Sequence, residues 1–174
     1  MAITIVDTVG GASSNSFVLL SEWSTYMEGR LNSTKFDDAT TDSKNRALAE
    51  ATRYLSALAW KGYRVTATQA LSWPRQWAHD PDSPTQDYYD TDVVPVRVDR
   101  ATFELALEFL RAGTSDVASL PGDQLIKRER IDVIETEYMD SHARPKGLQR
   151  YPAVMREIGQ LLAGSSLTTP VVRG

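Results

Sequence analysis

The sequence contains no cysteine and only two histidines in 174 residues. Lacking cysteine, it has no disulfide framework and no thiolate nucleophile, which fits a reducing compartment. The histidines, His79 and His142, stand in loop-like stretches and outside any metal-ligand spacing such as His-x-x-x-His, so both read as surface residues. No apolar run approaches the roughly eighteen residues of a membrane span, so no membrane partner is expected. The opening MAITIVDTVGG has neither a basic flank nor a long apolar run and does not read as a secretory signal. Basic residues are also short in number. Lys and Arg total 19 against 23 Asp and Glu, a net charge of −4. Duplex-DNA binders rely on phosphate neutralisation and carry a basic face, so this balance runs against tight nucleic-acid binding.

Catalytic patterns are missing as well. There is no Gly-x-Ser-x-Gly elbow and no Gly-Lys-Ser/Thr phosphate loop. Asp80-x-Asp82 begins like a calcium loop, but Pro84 and Thr85 stand where the third acid and the turn glycine belong. Glu135 and Glu137 sit two apart on a strand-like run and alone carry no acid–base argument. The expectation is a protein without catalytic residues, bound cofactor or metal.

What is present is a globular composition, 41% hydrophobic and 24% charged, at a length that suits one domain. SFVLL at 16–20 reads as a short strand. Ser21 then reads as the N-cap of a helix carrying Trp23, Tyr26 and Met27. FDDATTDS reads as a polar loop. From Ser43, Leu48, Ala51, Leu55 and Leu58 recur at helical spacing. The segment TATQAL suggests a short helical piece. AHDPDSPTQDYYDTDVVP, rich in proline and aspartate, reads as a long surface loop. Pro95 can open the next helix and Gly113 can close it. Val98, Ala101, Leu105 and Phe109 make one stripe, which Phe103, Ala106 and Leu110 widen until it must be buried on more than one side. IKRERIDVIETEYMD carries β-favouring residues and reads as a hairpin or arm. YPAVMREIGQLLAG reads as a short amphipathic helix, and SSLTTPVVRG as a tail. The fold expected is mainly α, a small helical bundle with a short β-hairpin or arm and an extended C-terminal tail. Its divisions are residues 1–14 as an N-terminal extension, 15–164 as the domain with the arm at about 124–139, and 165–174 as the tail.

Three of the four tryptophans fall within residues 60–77, WKGYRVTATQALSWPRQW, beside Lys61, Arg64 and Arg75. Aromatics interleaved with cations can stack unpaired bases, or they can pin a loop onto a small core. The acidic stretch that follows favours packing. A structural corner is therefore expected at Trp60, Gly62, Trp73, Pro74 and Arg75, with Trp60 and Trp73 folded back on the helix stripe and Arg75 or Arg64 stacked or capping nearby.

These same residues carry a family likeness. Ala51-Thr52-Arg53-Tyr54-Leu55, Trp60-Lys61-Gly62, Gln69-Ala70-Leu71, Trp73-Pro74-Arg75, Val94-Pro95 and the entry Asn15-Ser16-Phe17 follow in an order and spacing that resembles the head–tail adaptor (connector) proteins of tailed bacteriophages. The likeness covers roughly residues 15–112. It implies a structural subunit of the virion neck that forms a homo-oligomeric ring, a dodecamer in the family pattern. Such a ring would contact the portal protein and a tail, stopper or tail-terminator protein, and pass double-stranded DNA through its lumen without reading its sequence. The protein would lie in the host cytoplasm during assembly and at the head–tail interface afterwards. Thr169, Pro170, Val171 and Val172 would be candidates for docking to a partner. Sequences of this type are also described as similar to a DnaT-like single-strand-binding domain, which makes a single-stranded-DNA-binding module the rival reading.

Overall fold

The computed structural model describes residues 3–31, 33–85, 87–113, 128–131, 134–137 and 147–164. Among these residues the architecture is mainly α with two small antiparallel ribbons. The helices are α1 (Leu20–Glu28), α2 (Thr34–Asp37), α3 (Thr41–Ser56), α4 (Val96–Ala112) and α5 (Pro152–Ile158), with 3-10 turns at Gly147–Arg150 and Gly159–Leu161. One ribbon pairs β1 (Tyr63–Arg64) with β2 (Arg75–Gln76), and the other pairs β3 (Arg128–Ile131) with β4 (Ile134–Glu137).

α4 is the axis of the bundle, with α3 and α5 packed against it. Its stripe is as wide as its sequence requires: Val98, Ala101, Phe103, Leu105, Ala106, Leu107 and Phe109 are all buried. Pro95 stands at its N-cap, and Gly113 closes it in the left-handed conformation that glycine adopts without a Cβ penalty. Two polar residues share this core. Thr102 returns its hydroxyl to the Val98 carbonyl at 2.8 Å. Buried Glu104 accepts from the Tyr26 hydroxyl at 2.6 Å and from the Arg30 guanidinium, so α1 is tied to α4 through a satisfied carboxylate.

α3 starts where Thr40 accepts from the Ser43 amide at 3.2 Å, and it buries Leu48, Ala51, Thr52 and Leu55. α1 buries Trp23 and Met27, and Trp23 meets Phe36 of α2 edge to face at 4.8 Å.

Several expectations need correction. Residues 16–19 form no strand. The Ser16 hydroxyl donates to the Val18 carbonyl at 2.7 Å, a local bond that holds the chain in a bend. Leu19, not Ser21, is the N-cap of α1, because the Glu22 carboxylate reaches back to the Leu19 amide at 2.7 Å. Phe36, read within a polar loop, lies in α2 and is buried. TATQAL is not helical; its buried Gln69 organises a loop instead. The last helix stops at Ile158 and tightens into a 3-10 turn. Residues 3–14 are fastened to the body: the Asn15 side chain accepts from the Val6 amide at 2.8 Å, and the Ala70 amide donates to the Gly11 carbonyl at 3.0 Å. Of the arm expected at about 124–139, residues 128–131 and 134–137 are described, and they are β3 and β4, whose register pairs Arg128 with Glu137 and Ile131 with Ile134; the rest of that span lies outside the described residues. The C-terminal tail, with Thr169, Pro170, Val171 and Val172, lies outside the described residues.

Candidate functional site

The tryptophan-rich stretch divides into an inner clasp and an outer row of rings. The clasp begins where α3 ends. Trp60 is buried and donates its indole N–H to the Leu55 carbonyl at 2.8 Å. Trp73 is 1% exposed and meets Trp60 edge to face at 5.6 Å, and Tyr89 packs against its other side at 5.8 Å. The Trp73–Pro74 peptide is cis. The chain beyond α5 closes the other side, with the Lys61 amide donating to the Leu161 carbonyl at 2.9 Å and the Ala163 amide to the Ala59 carbonyl at 2.8 Å.

Two polar side chains hold the loop between the tryptophans. The Gln69 amide donates to the Leu71 and Pro74 carbonyls at 2.9 and 3.0 Å, while its oxygen accepts from the Thr66 amide at 3.0 Å. The Arg75 guanidinium donates to the carbonyls of Lys61 (2.8 Å), Ser72 (3.1 Å), Trp60 (3.4 Å) and Gly62. Burial, and then the nearby Arg64 charge, lower the Arg75 pKa from its ordinary value. Arg75 is therefore the capping cation, while Arg64 stays exposed. Gly62 has φ +72°, and a Cβ there would lie 2.4 Å from the Gln76 carbonyl oxygen and 2.8 Å from the Ala78 nitrogen. Only glycine lets the two backbones approach this closely. The five corner residues predicted from sequence thus lie together in one substructure.

The outer row rests on that clasp. Immediately after β2, Trp77 takes φ +60°, the only positive φ of a non-glycine among the described residues. A bulky side chain is disfavoured there, and such outliers concentrate at functional sites. Trp77 is 63% exposed. Ala78 then turns inward and is buried, and His79 turns outward again. Tyr88 returns beside them, bridged to His79. Its ring stands edge to face with Trp77 at 5.5 Å and with His79 at 6.2 Å. Three exposed rings therefore form a row: Trp77, Tyr88, His79.

The row sits on a fastened loop. The Tyr89 amide donates to the Ala78 carbonyl and the Asp80 amide to the Asp87 carbonyl, both at 2.9 Å. Burial, followed by a hydrogen bond to Asp80, raises the Tyr89 pKa. From α4, Arg97 grips Asp82 through two 2.6 Å bonds and also donates to the Glu157 carbonyl at 3.3 Å. This pairing raises the Arg97 pKa and lowers that of Asp82. Asp80 and Asp82, the pair that resembled a calcium loop, thus hold the loop in place. Among the described residues no group of three or more His, Cys, Asp or Glu side chains could hold a metal, and no helix is long and apolar enough to cross a membrane. His142 lies outside the described residues.

Packing of Trp60 and Trp73 implies nothing about Trp77, and nothing in the local sequence distinguishes Tyr88 from Tyr89. The alternation Trp77-Ala78-His79 was the available signal. Its outward sense depends on the loop returning through Tyr88 and Tyr89, which local sequence does not specify.

The model of the family described as "Putative DnaT-like ssDNA binding protein" matches residues 1–174. No curated protein and no solved structure matches the chain.

Proposed function

This chain belongs to the DnaT-like ssDNA-binding family, and from that premise we propose that it is a non-catalytic module that binds single-stranded DNA. The observation that carries this reading is the exposed row of Trp77, Tyr88 and His79 on a fastened loop. Every base has a π-face, so such rings can engage an unpaired strand without reading its sequence. The overall acidity makes the interaction weak and local rather than a long basic groove. Fluorescence anisotropy of a labelled single-stranded oligonucleotide at low salt tests it: saturable binding is expected, and a flat titration at high protein concentration overturns it.

A second reading is supported by the resemblance to phage head–tail adaptors and by the hairpin of β3 and β4. In this reading the chain is a ring-forming subunit of the virion neck, between portal and tail or stopper, and the hairpin is an arm that meets a neighbouring copy or partner. Native mass spectrometry of the protein alone and with its portal tests it. Closed rings are expected. A chain that stays monomeric and binds no portal or tail protein counts against the adaptor reading.

A further inference from the structure

We infer that the ligand of the aromatic row is a short run of about three unpaired bases, held by stacking on Trp77 and Tyr88 rather than by a grip on phosphates. The inference rests on the single-stranded-DNA reading above and specifies how that site would work.

The cations near the row are few and mostly occupied. Arg75 is spent on backbone carbonyls, and the Lys61 ammonium donates to the Gln160 carbonyl at 2.8 Å. Arg97 is paired with Asp82. Arg64 is exposed on β1, whose Tyr63 pairs with Gln76 next to Trp77, and it is the cation assigned here to a phosphate contact. On the other side the loop carries Asp87 and Asp90, both exposed. A duplex presents phosphates outward and keeps its bases stacked inside, so it would meet like charge here and offer no ring-sized face. An unpaired strand can turn its bases onto the rings and its phosphates to solvent. The fastened loop keeps the rings in place beforehand, so little ordering cost falls on binding.

The salt dependence follows. One phosphate contact on a single strand gives a slope of log affinity against log salt of about −0.7, whereas a groove with six contacts gives about −4. The fluorescence signal is also specific. Trp23, Trp60 and Trp73 are at most 5% exposed, so quenching by a stacked base reports Trp77.

The test is a titration of the full chain with single-stranded and duplex oligonucleotides at several salt concentrations, read by anisotropy and tryptophan quenching. The variants are Trp77→Gly, which removes the ring and suits the positive φ, Trp77→Phe, Tyr88→Ala and Arg64→Ala. Expected are quenching by the single strand, a slope near −0.7 that approaches zero in Arg64→Ala, and much weaker duplex binding. Trp77→Gly and Tyr88→Ala should each lose roughly tenfold or more in affinity, while Trp77→Phe keeps most of it. Thermal melts of each variant separate lost binding from lost folding. If the wild type binds single strands but the slope is steeper than about −3, or Trp77→Gly binds unchanged, the stacking assignment fails while the single-strand reading stands. If no strand binds at low salt, both fail.

Discussion

Trp60 and Trp73 meet edge to face at 5.6 Å, both buried, at the point where the end of α3 is fastened to the loop after it. Trp73 also packs against Tyr89, so one indole joins α3, the proline corner and the loop bearing the exposed rings. Truncating so large a buried ring loses its burial and leaves a cavity. Trp73→Ala should destabilise the fold by about 3–5 kcal/mol, measured by chemical denaturation. Trp73→Phe should lose less. A variant that unfolds at wild-type denaturant would show that the indole contributes little to the core.

Gly62 offers a sharper test, because its contact is backbone against backbone. Gly62→Ala places a Cβ 2.4 Å from the Gln76 oxygen at a φ of +72°. The left-handed conformation alone costs roughly 1–2 kcal/mol, and the overlap forces the Gln76–Ala78 backbone to shift as well. The expected outcome is a lower melting temperature together with a changed environment for Trp77, seen as altered quenching by acrylamide. Loss of stability with unchanged Trp77 accessibility would mean that the ring is not positioned by this contact.

Arg75 should resist conservative replacement. Its guanidinium serves carbonyls on both sides of the corner. A lysine ammonium is a point donor and cannot span the same fork. Arg75→Lys should cost about 1–3 kcal/mol, as expected for a charged donor leaving partly buried acceptors unmet. Equal stability of the two proteins would place those carbonyls in contact with water.

How far the sequence could be read depended on the range of each interaction. α4 was legible because one helix carries its whole signal: Pro95 to open, Gly113 to close, and an apolar stripe between. The corner residues were legible because aromatic, glycine, proline and arginine side chains cluster in one short stretch. α2 was not, since Thr34–Asp37 is too short to show a period, and it forms where Phe36 can pack on Trp23. Ser21 matched an N-cap by composition, but Glu22 reaches back to Leu19 and moves the start. The aromatic row was the least legible part. Tyr88 and Tyr89 are neighbours of the same type; one is exposed and the other packs on Trp73. The choice is made by strand-like pairing with His79 and Ala78 across a proline-rich loop.

The loop that bears the rings is tied to the bundle by Arg97. Arg97→Ala removes both bonds to Asp82 and the bond to the Glu157 carbonyl. Because Asp82 is exposed and the pair is screened by solvent, the stability cost should be small, with a melting temperature close to that of the wild type. Hydrogen exchange should then rise at the Asp80 and Tyr89 amides, with the amides of α4 unchanged. Unchanged exchange at those two amides would show that the loop is held by its own backbone bonds.

Asp99, in the first turn of α4, gives a pH test with a definite sign. Its Oδ1 is buried and, among the described residues, has no hydrogen-bond partner. Burial, and then the Glu22 charge, push its pKa from 3.8 up to about 7. Between these values the folded chain keeps the proton that the unfolded chain has released. This group's contribution to stability is thus complete below about pH 4 and is lost as pH rises through about 7. Asp99→Asn removes the titration, so it should gain on the wild type as pH rises. The two should be similar near pH 4, and the variant should be ahead by on the order of 4 kcal/mol at pH 8, the worth of a shift of about three units. Denaturation curves at pH 4, 6 and 8 decide it. An advantage that shrinks with rising pH would mean that the Asp99 carboxylate is ionised and well solvated in the folded protein.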